Sequence, residues 1–171
     1  MQYKITFINQ IKQLIGVIIG IPAAGILIYF YYQAVGDFST VTTIGFIYFG
    51  VVFSITIFIH CEYYVLNKRK IVFIDVDKKI ISFDENDSVS FANIEKITIL
   101  MTQLRYSSGN IWVLPSDPYN FAIIKYHSGE EFIFTSLMAS DVESVMKQIT
   151  GVPTERKLRP IPSPMLSKIF A

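Results

Sequence analysis

Two unbroken apolar runs, residues 14–35 and 44–65, restrict this chain to very few folds. The first, LIGVIIGIPAAGILIYFYYQAV, carries no charge. The second, IGFIYFGVVFSITIFIHCEYYV, carries one acid, Glu62, near its far end. Roughly 20 apolar residues are enough for a helix to cross roughly 30 Å of hydrocarbon. A helix that is apolar on every face must be surrounded on every face, and 171 residues are too few to enclose two of them. The eight intervening residues, 36–43, make the pair a transmembrane hairpin.

A cleaved leader is the rival for the first run. Lys4 and Lys12 resemble its charged start, and Pro22-Ala23-Ala24 its cleavage site. The apolar run continues past that point through Ile26, Leu27 and Ile28, whereas a leader's apolar stretch is only about 7–15 residues. The run reads as an uncleaved anchor. Lys4 and Lys12 precede the first span, Lys68-Arg69-Lys70 follow the second, and the connecting loop has no Lys or Arg. Basic flanks stay on the cytoplasmic side, which places the N-terminus and the C-terminal part there. The expected location is a membrane, with both ends of the hairpin on its cytoplasmic side.

Inside the spans, Gly16 and Gly20 form a small-xxx-small pair, and Gly50 adds a third candidate for close helix–helix packing. His60, Cys61 and Glu62 are consecutive. Neighbouring helical positions point about 100° apart, so these three do not converge on one metal.

The segment after the hairpin is balanced in charge, with 13 Lys+Arg against 12 Asp+Glu beyond Asn67. That excludes a strongly basic nucleic-acid surface. One cysteine, Cys61, excludes an intrachain disulfide framework. Residues 70–135 read as six or seven short strands: 71–76, 79–83, 89–91, 94–101, 111–114, 119–126 and 131–135, the last two joined at the His127-Ser128-Gly129-Glu130 turn. Then the period changes. Ser140-Asp141-Val142-Glu143 reads as a capping box, and Val142, Val145, Met146 and Ile149 form one apolar helical stripe. Residues 152–171 hold four of the seven prolines together with Arg156, Lys157, Arg159 and Lys168, and read as a basic tail, either extended or ordered against its own domain.

The fold expected is α+β: a two-helix membrane hairpin, an antiparallel β sandwich or barrel, and one capping helix. The units are residues 1–67, 68–151 and 152–171. This order carries a resemblance. The strand opening Asn93-Ile94-Glu95-Lys96-Ile97, the Trp112 strand, the Tyr126 to Glu130 hairpin, and Phe132 to Leu137 leading into Asp141-Val142-Glu143 resemble bacterial membrane-anchored proteins of pleckstrin-homology-like (PH-like) type, with a YcxB-like layout. The resemblance implies a cytoplasmic binding or regulatory module and supplies no catalytic residue. The first hairpin offers only Lys78 and Lys79, beside Asp75 and Asp77, in place of the basic signature of phosphoinositide-binding PH domains.

No constellation for chemistry emerges. Asp75-Val76-Asp77 flanks a turn, where Asp serves the backbone. Asp84, Asn86, Ser88 and Glu95 fit a calcium loop, but Val89 stands where that loop turns on glycine. Neither His60 nor His127 accompanies a nucleophile motif. The chain is therefore read as non-catalytic, with no cofactor and no metal. Its partners are the bilayer and either a protein or a second copy met through the spans. Lys68, Arg69, Lys70, Lys78 and Lys79 are the candidate membrane-surface contacts. An accessory subunit of a larger membrane complex is the alternative.

Overall fold

The computed structural model describes residues 1–36, 38–83, 87–106 and 115–169. A short strand β1 (Gln2–Tyr3) leads into α1 (Phe7–Val35) and α2 (Phe38–Asn67). Then come β2 (Val72–Asp75), β3 (Ile80–Phe83), β4 (Asp87–Ser90), β5 (Ile94–Met101), a helical turn α3 (Gln103–Tyr106), β6 (Phe121–Tyr126) and β7 (Glu131–Thr135). A short helix α4 (Val142–Met146), strand β8 (Thr154–Leu158) and helix α5 (Pro164–Ile169) complete the chain.

The hairpin helices start and stop where side chains dictate. Thr6 caps α1 by accepting from the Asn9 amide at 3.2 Å. Gly36 ends it at φ 77°, a left-handed cap whose N–H donates to Tyr32 O. Pro22 lies inside α1 and leaves it unbroken, withholding one ladder bond from the turn before. Gly45 lets the helices approach: a Cβ there would stand 2.7 Å from the Ile28 side chain. Gly20 is similarly close to the Phe53 ring, at 3.1 Å.

The strands form two four-stranded sheets. Sheet A has the order β1-β2-β3-β4 and is antiparallel throughout; sheet B has the order β7-β6-β5-β8. The β5–β8 pair is parallel, Ile97 opposite Thr154 and Met101 opposite Leu158, so sheet B is mixed. Of the two readings of residues 152–171, the structure has the ordered one over 154–158. Residues 154–158 complete the β5 edge, and their outward side chains are mostly exposed, which is why no apolar alternation marked them as a strand. The Trp112 strand falls outside the described residues. The capping box is corrected: Asp141, not Ser140, caps α4, accepting from Ser144 N at 3.1 Å. Glu143 turns instead to Lys147 and Arg156.

The centre of sheet B, strands β5 and β6, is buried on both faces. Ile97, Ile99, Ile124 and Phe134 pack on Val72, Ile74 and Ile81 of sheet A and on Val142, Val145 and Met146 of α4. Leu100, Phe121 and Leu137 face the other way, onto Ile59 and Tyr63 of α2, with Tyr119. Alternate residues of β6 thus serve two cores. Its sequence, FAII, is accordingly a continuous apolar run, the pattern of a strand covered on both sides. The molecule has three layers: sheet A with α4, sheet B, and the lower part of the hairpin.

Beyond these contacts the hairpin stands clear. α1 rises about 27 Å from Val17 to Val35, and α2 about 26 Å from Phe38 to Ile55. Ile18, Ile19, Leu27, Phe30, Phe46 and Ile47 are each more than half exposed there. Both helices are long and apolar enough to cross a membrane.

Candidate functional site

The helices and sheets meet in a joint built from polar side chains. Asn67, the last residue of α2, donates from Nδ2 to Ile133 O at 2.9 Å and accepts from the Thr135 hydroxyl at 2.6 Å. Asn9 of α1 donates to Met138 O at 3.2 Å, and Gln13 donates to Ser136 O at 3.5 Å. These bonds cover β7 and its continuation, the outer edge of sheet B. An uncovered edge is open to pairing with another chain; α1 and α2 close this one. Tyr63 adds a 2.6 Å bond from its hydroxyl to Pro162 O. Each of these carbonyls would be costly to bury unpaired, about 1–3 kcal/mol.

The His60-Cys61-Glu62 triplet resolves into separate tasks. His60 Nδ1 lies 2.9 Å from the Tyr119 hydroxyl. Glu62 accepts from the Ser163 hydroxyl at 2.6 Å and from the Met165 amide, so its carboxylate sits on the first turn of α5. Cys61 is exposed. Burial, with a smaller contribution from Cys61, pushes the Tyr119 hydroxyl above its ordinary range.

The candidate packing glycines lie in three settings. Gly16 faces Pro115, whose Cα would be 3.0 Å from an added Cβ; Gly20 faces Phe53; Gly50 faces open space. Gly45, which sequence spacing did not single out, makes the tightest interhelical approach. Of the basic residues, Lys68, Arg69 and Lys70 follow α2 directly, while Lys78 and Lys79 sit at the far end of β2 in its hairpin turn. Asp75 accepts from the Lys78 amide at 3.0 Å, and that bond holds its carboxyl below the usual range. Lys79 takes the left-handed conformation at φ 53°. Of the calcium-loop candidates, Asp84 and Asn86 lie outside the described residues, while Glu95 pairs with Lys125 at 2.9 Å.

The β8 edge is held by charge. Glu155 bonds Lys96 at 2.8 Å, Lys157 at 3.3 Å and the Thr98 hydroxyl at 3.1 Å. The Lys96 bond, above all, draws its carboxyl down to about 2. Arg156 reaches back to Glu143 on α4, which Lys147 also holds.

Two packed sheets closed by a short helix, joined to a hairpin of two helices apolar enough to cross a membrane, form a PH-like sandwich. Comparison with family profiles matches the PH domain over residues 2–146, and the chain belongs to that family. The match includes both long helices and ends with α4, leaving β8 and α5 beyond it. Comparisons with curated proteins and with solved structures found no match. Domains of this family are in general binding modules rather than catalysts.

Proposed function

We propose that this chain is an integral membrane protein that presents a non-catalytic PH domain at the cytoplasmic face of a plasma membrane, for contact with a protein or the lipid surface. The observation that carries this reading is the match of lengths. The free part of each helix, about 26 Å, is close to the roughly 30 Å of a hydrocarbon core. The rest of each helix is committed to the domain through Asn9, Gln13, Tyr63 and Asn67. A domain joined this firmly stands at a fixed height and angle over the bilayer.

Orientation follows from charge. Lys4, Lys12, Lys68, Arg69 and Lys70 all lie at the domain end of the hairpin, and its tip carries no Lys or Arg. Basic residues near an anionic leaflet are worth about 1 kcal/mol each. Lys68, Arg69 and Lys70 are the strongest candidates. The Lys78 ammonium is 3.7 Å from Asp75, which weakens its share.

The accessory-subunit reading has one observation in its favour. Gly50 faces open space on an exposed apolar helix surface, a place where another helix fits closely. Gly50→Leu with sizing of the detergent-extracted complex tests it. Loss of a co-migrating partner or second copy favours the subunit; unchanged size favours the module.

The main reading is tested by fractionating cells that express the full chain. The expected result is a pellet that resists carbonate and dissolves only in detergent. A chain that stays in the high-speed supernatant would overturn it.

A further inference from the structure

Six carboxylates of the domain contrast in what they hold. Glu95, Glu143 and Glu155 each hold a lysine or arginine. Asp87, Glu130 and Glu131 hold no cation among the described residues. Lys125 stands opposite Glu131 in the β6–β7 register, yet its ammonium goes to Glu95. These three acids line one open cleft of about 1030 Å³ between the β3–β4 and β6–β7 hairpins. No described lysine or arginine lines it. His, Cys, Asp and Glu do not cluster closely enough to hold a metal ion anywhere among the described residues.

The rest of the cleft is aromatic. Phe83 and Phe132 have ring centroids 4.3 Å apart, and Tyr126 meets Phe83 edge-on at 6.2 Å. Tyr126 is 7% exposed, and its buried hydroxyl has no hydrogen-bond partner. A buried hydroxyl without a partner is costly, and a ligand N–H that parts the cleft wall at Tyr126 would satisfy it. Phe132 already receives a cation: the Lys70 ammonium lies 4.9 Å from its ring centroid.

The cleft also points away from the bilayer-sized part of the hairpin. β6 starts at Phe121, against Tyr63, and ends at Tyr126 in the cleft. α2 itself climbs about 12 Å between Ile59 and Asn67 before the chain reaches Lys70. Three acids would repel lipid phosphates, so a lipid headgroup is the wrong charge for this cleft.

We infer that this cleft docks the arginine or lysine side chains of an extended basic segment of a partner protein. The acids supply charge complementarity, the rings supply faces for the cation, and the Tyr126 hydroxyl supplies a partner for an N–H. The volume suits several side chains rather than one small ion. The inference rests on the reading of the domain as a membrane-borne binding module, and it names the chemistry of what is bound.

The test uses the full chain in detergent micelles and a fluorescein-labelled hexa-arginine peptide read by anisotropy. The combined variant Asp87→Asn, Glu130→Gln, Glu131→Gln should weaken binding at least tenfold. Removing as much charge elsewhere, with Glu95→Gln, Glu143→Gln and Glu155→Gln, should change it less than twofold. Tyr126→Phe should weaken the peptide about threefold while leaving the melting temperature equal or higher, which a purely structural hydroxyl would not do. Equal binding by the wild type and the combined variant overturns the inference. Spermidine binding as tightly as the peptide overturns the assignment to a protein segment. Flotation of the same preparation with liposomes reads the anchor separately: a chain that floats but ignores the peptide refutes the cleft and leaves the membrane module standing.

Discussion

The Thr135 hydroxyl donates a 2.6 Å hydrogen bond to Asn67 Oδ1, and both residues are fully buried. One sits at the end of α2 and the other at the end of β7, so a single contact joins the hairpin to the sheet. Because Asn67 also donates to Ile133 O, the pair fixes the direction in which the chain leaves the hairpin.

Asn67→Leu leaves the Thr135 hydroxyl and the Ile133 carbonyl buried without partners. The expected cost is about 2 kcal/mol, measured by urea or thermal unfolding in detergent. Adding Thr135→Val removes one orphan and should recover part of the loss. A double-mutant cycle with no coupling would show that the pair does not act as described.

Gly16 and Gly50 should respond differently to the same change. Gly16→Leu drives a side chain into the Pro115 backbone, so it should loosen the domain against α1 and raise its proteolysis rate. Gly50→Leu meets open space and should leave proteolysis of the domain unchanged.

The β8 edge should be sensitive to acid. The folded carboxyl of Glu155 titrates near 2, below its ordinary 4.5. The stability it contributes is therefore complete above pH 4.5 and is lost as pH falls toward 2. Exposure keeps the effect under about 1 kcal/mol. Glu155→Gln should flatten this part of the melting-temperature profile between pH 5 and 3. A variant profile as steep as the wild type would assign the acid loss to other groups.

Ending the chain after Gly151 removes β8 and α5. It bares the β5 edge and takes from Glu62 its partners Ser163 and Met165. The melting temperature should fall by roughly 5 °C, the shift for about 2 kcal/mol at this chain length. The shortened chain should also self-associate through the open edge. An unchanged melting temperature would mean that residues 152–171 add nothing to the fold.

The two long helices were legible because each apolar run is long and continuous, and the order of strands followed from turn residues such as the His127 to Glu130 hairpin, where Gly129 takes φ 89°. The joint was not legible. Asn67, Thr135 and Gln13 lie far apart in sequence and belong to no motif; only the continuous apolar run of β6 signalled a second buried face. β1 is two residues long and β8 is mostly exposed, so neither shows alternation. The acidic cleft stayed hidden because Asp87 and Glu130 look like ordinary turn residues until β3–β4 and β6–β7 are placed side by side.

Cysteine accessibility in intact cells tests the membrane arrangement most directly. In a Cys61→Ala background, Ser39→Cys at the hairpin tip should react with an impermeant maleimide added outside. Ser128→Cys in the domain should react only after the membrane is opened. Labelling of Ser128→Cys in intact cells, or equal labelling of both sites, would contradict a hairpin that holds the PH domain at the cytoplasmic face.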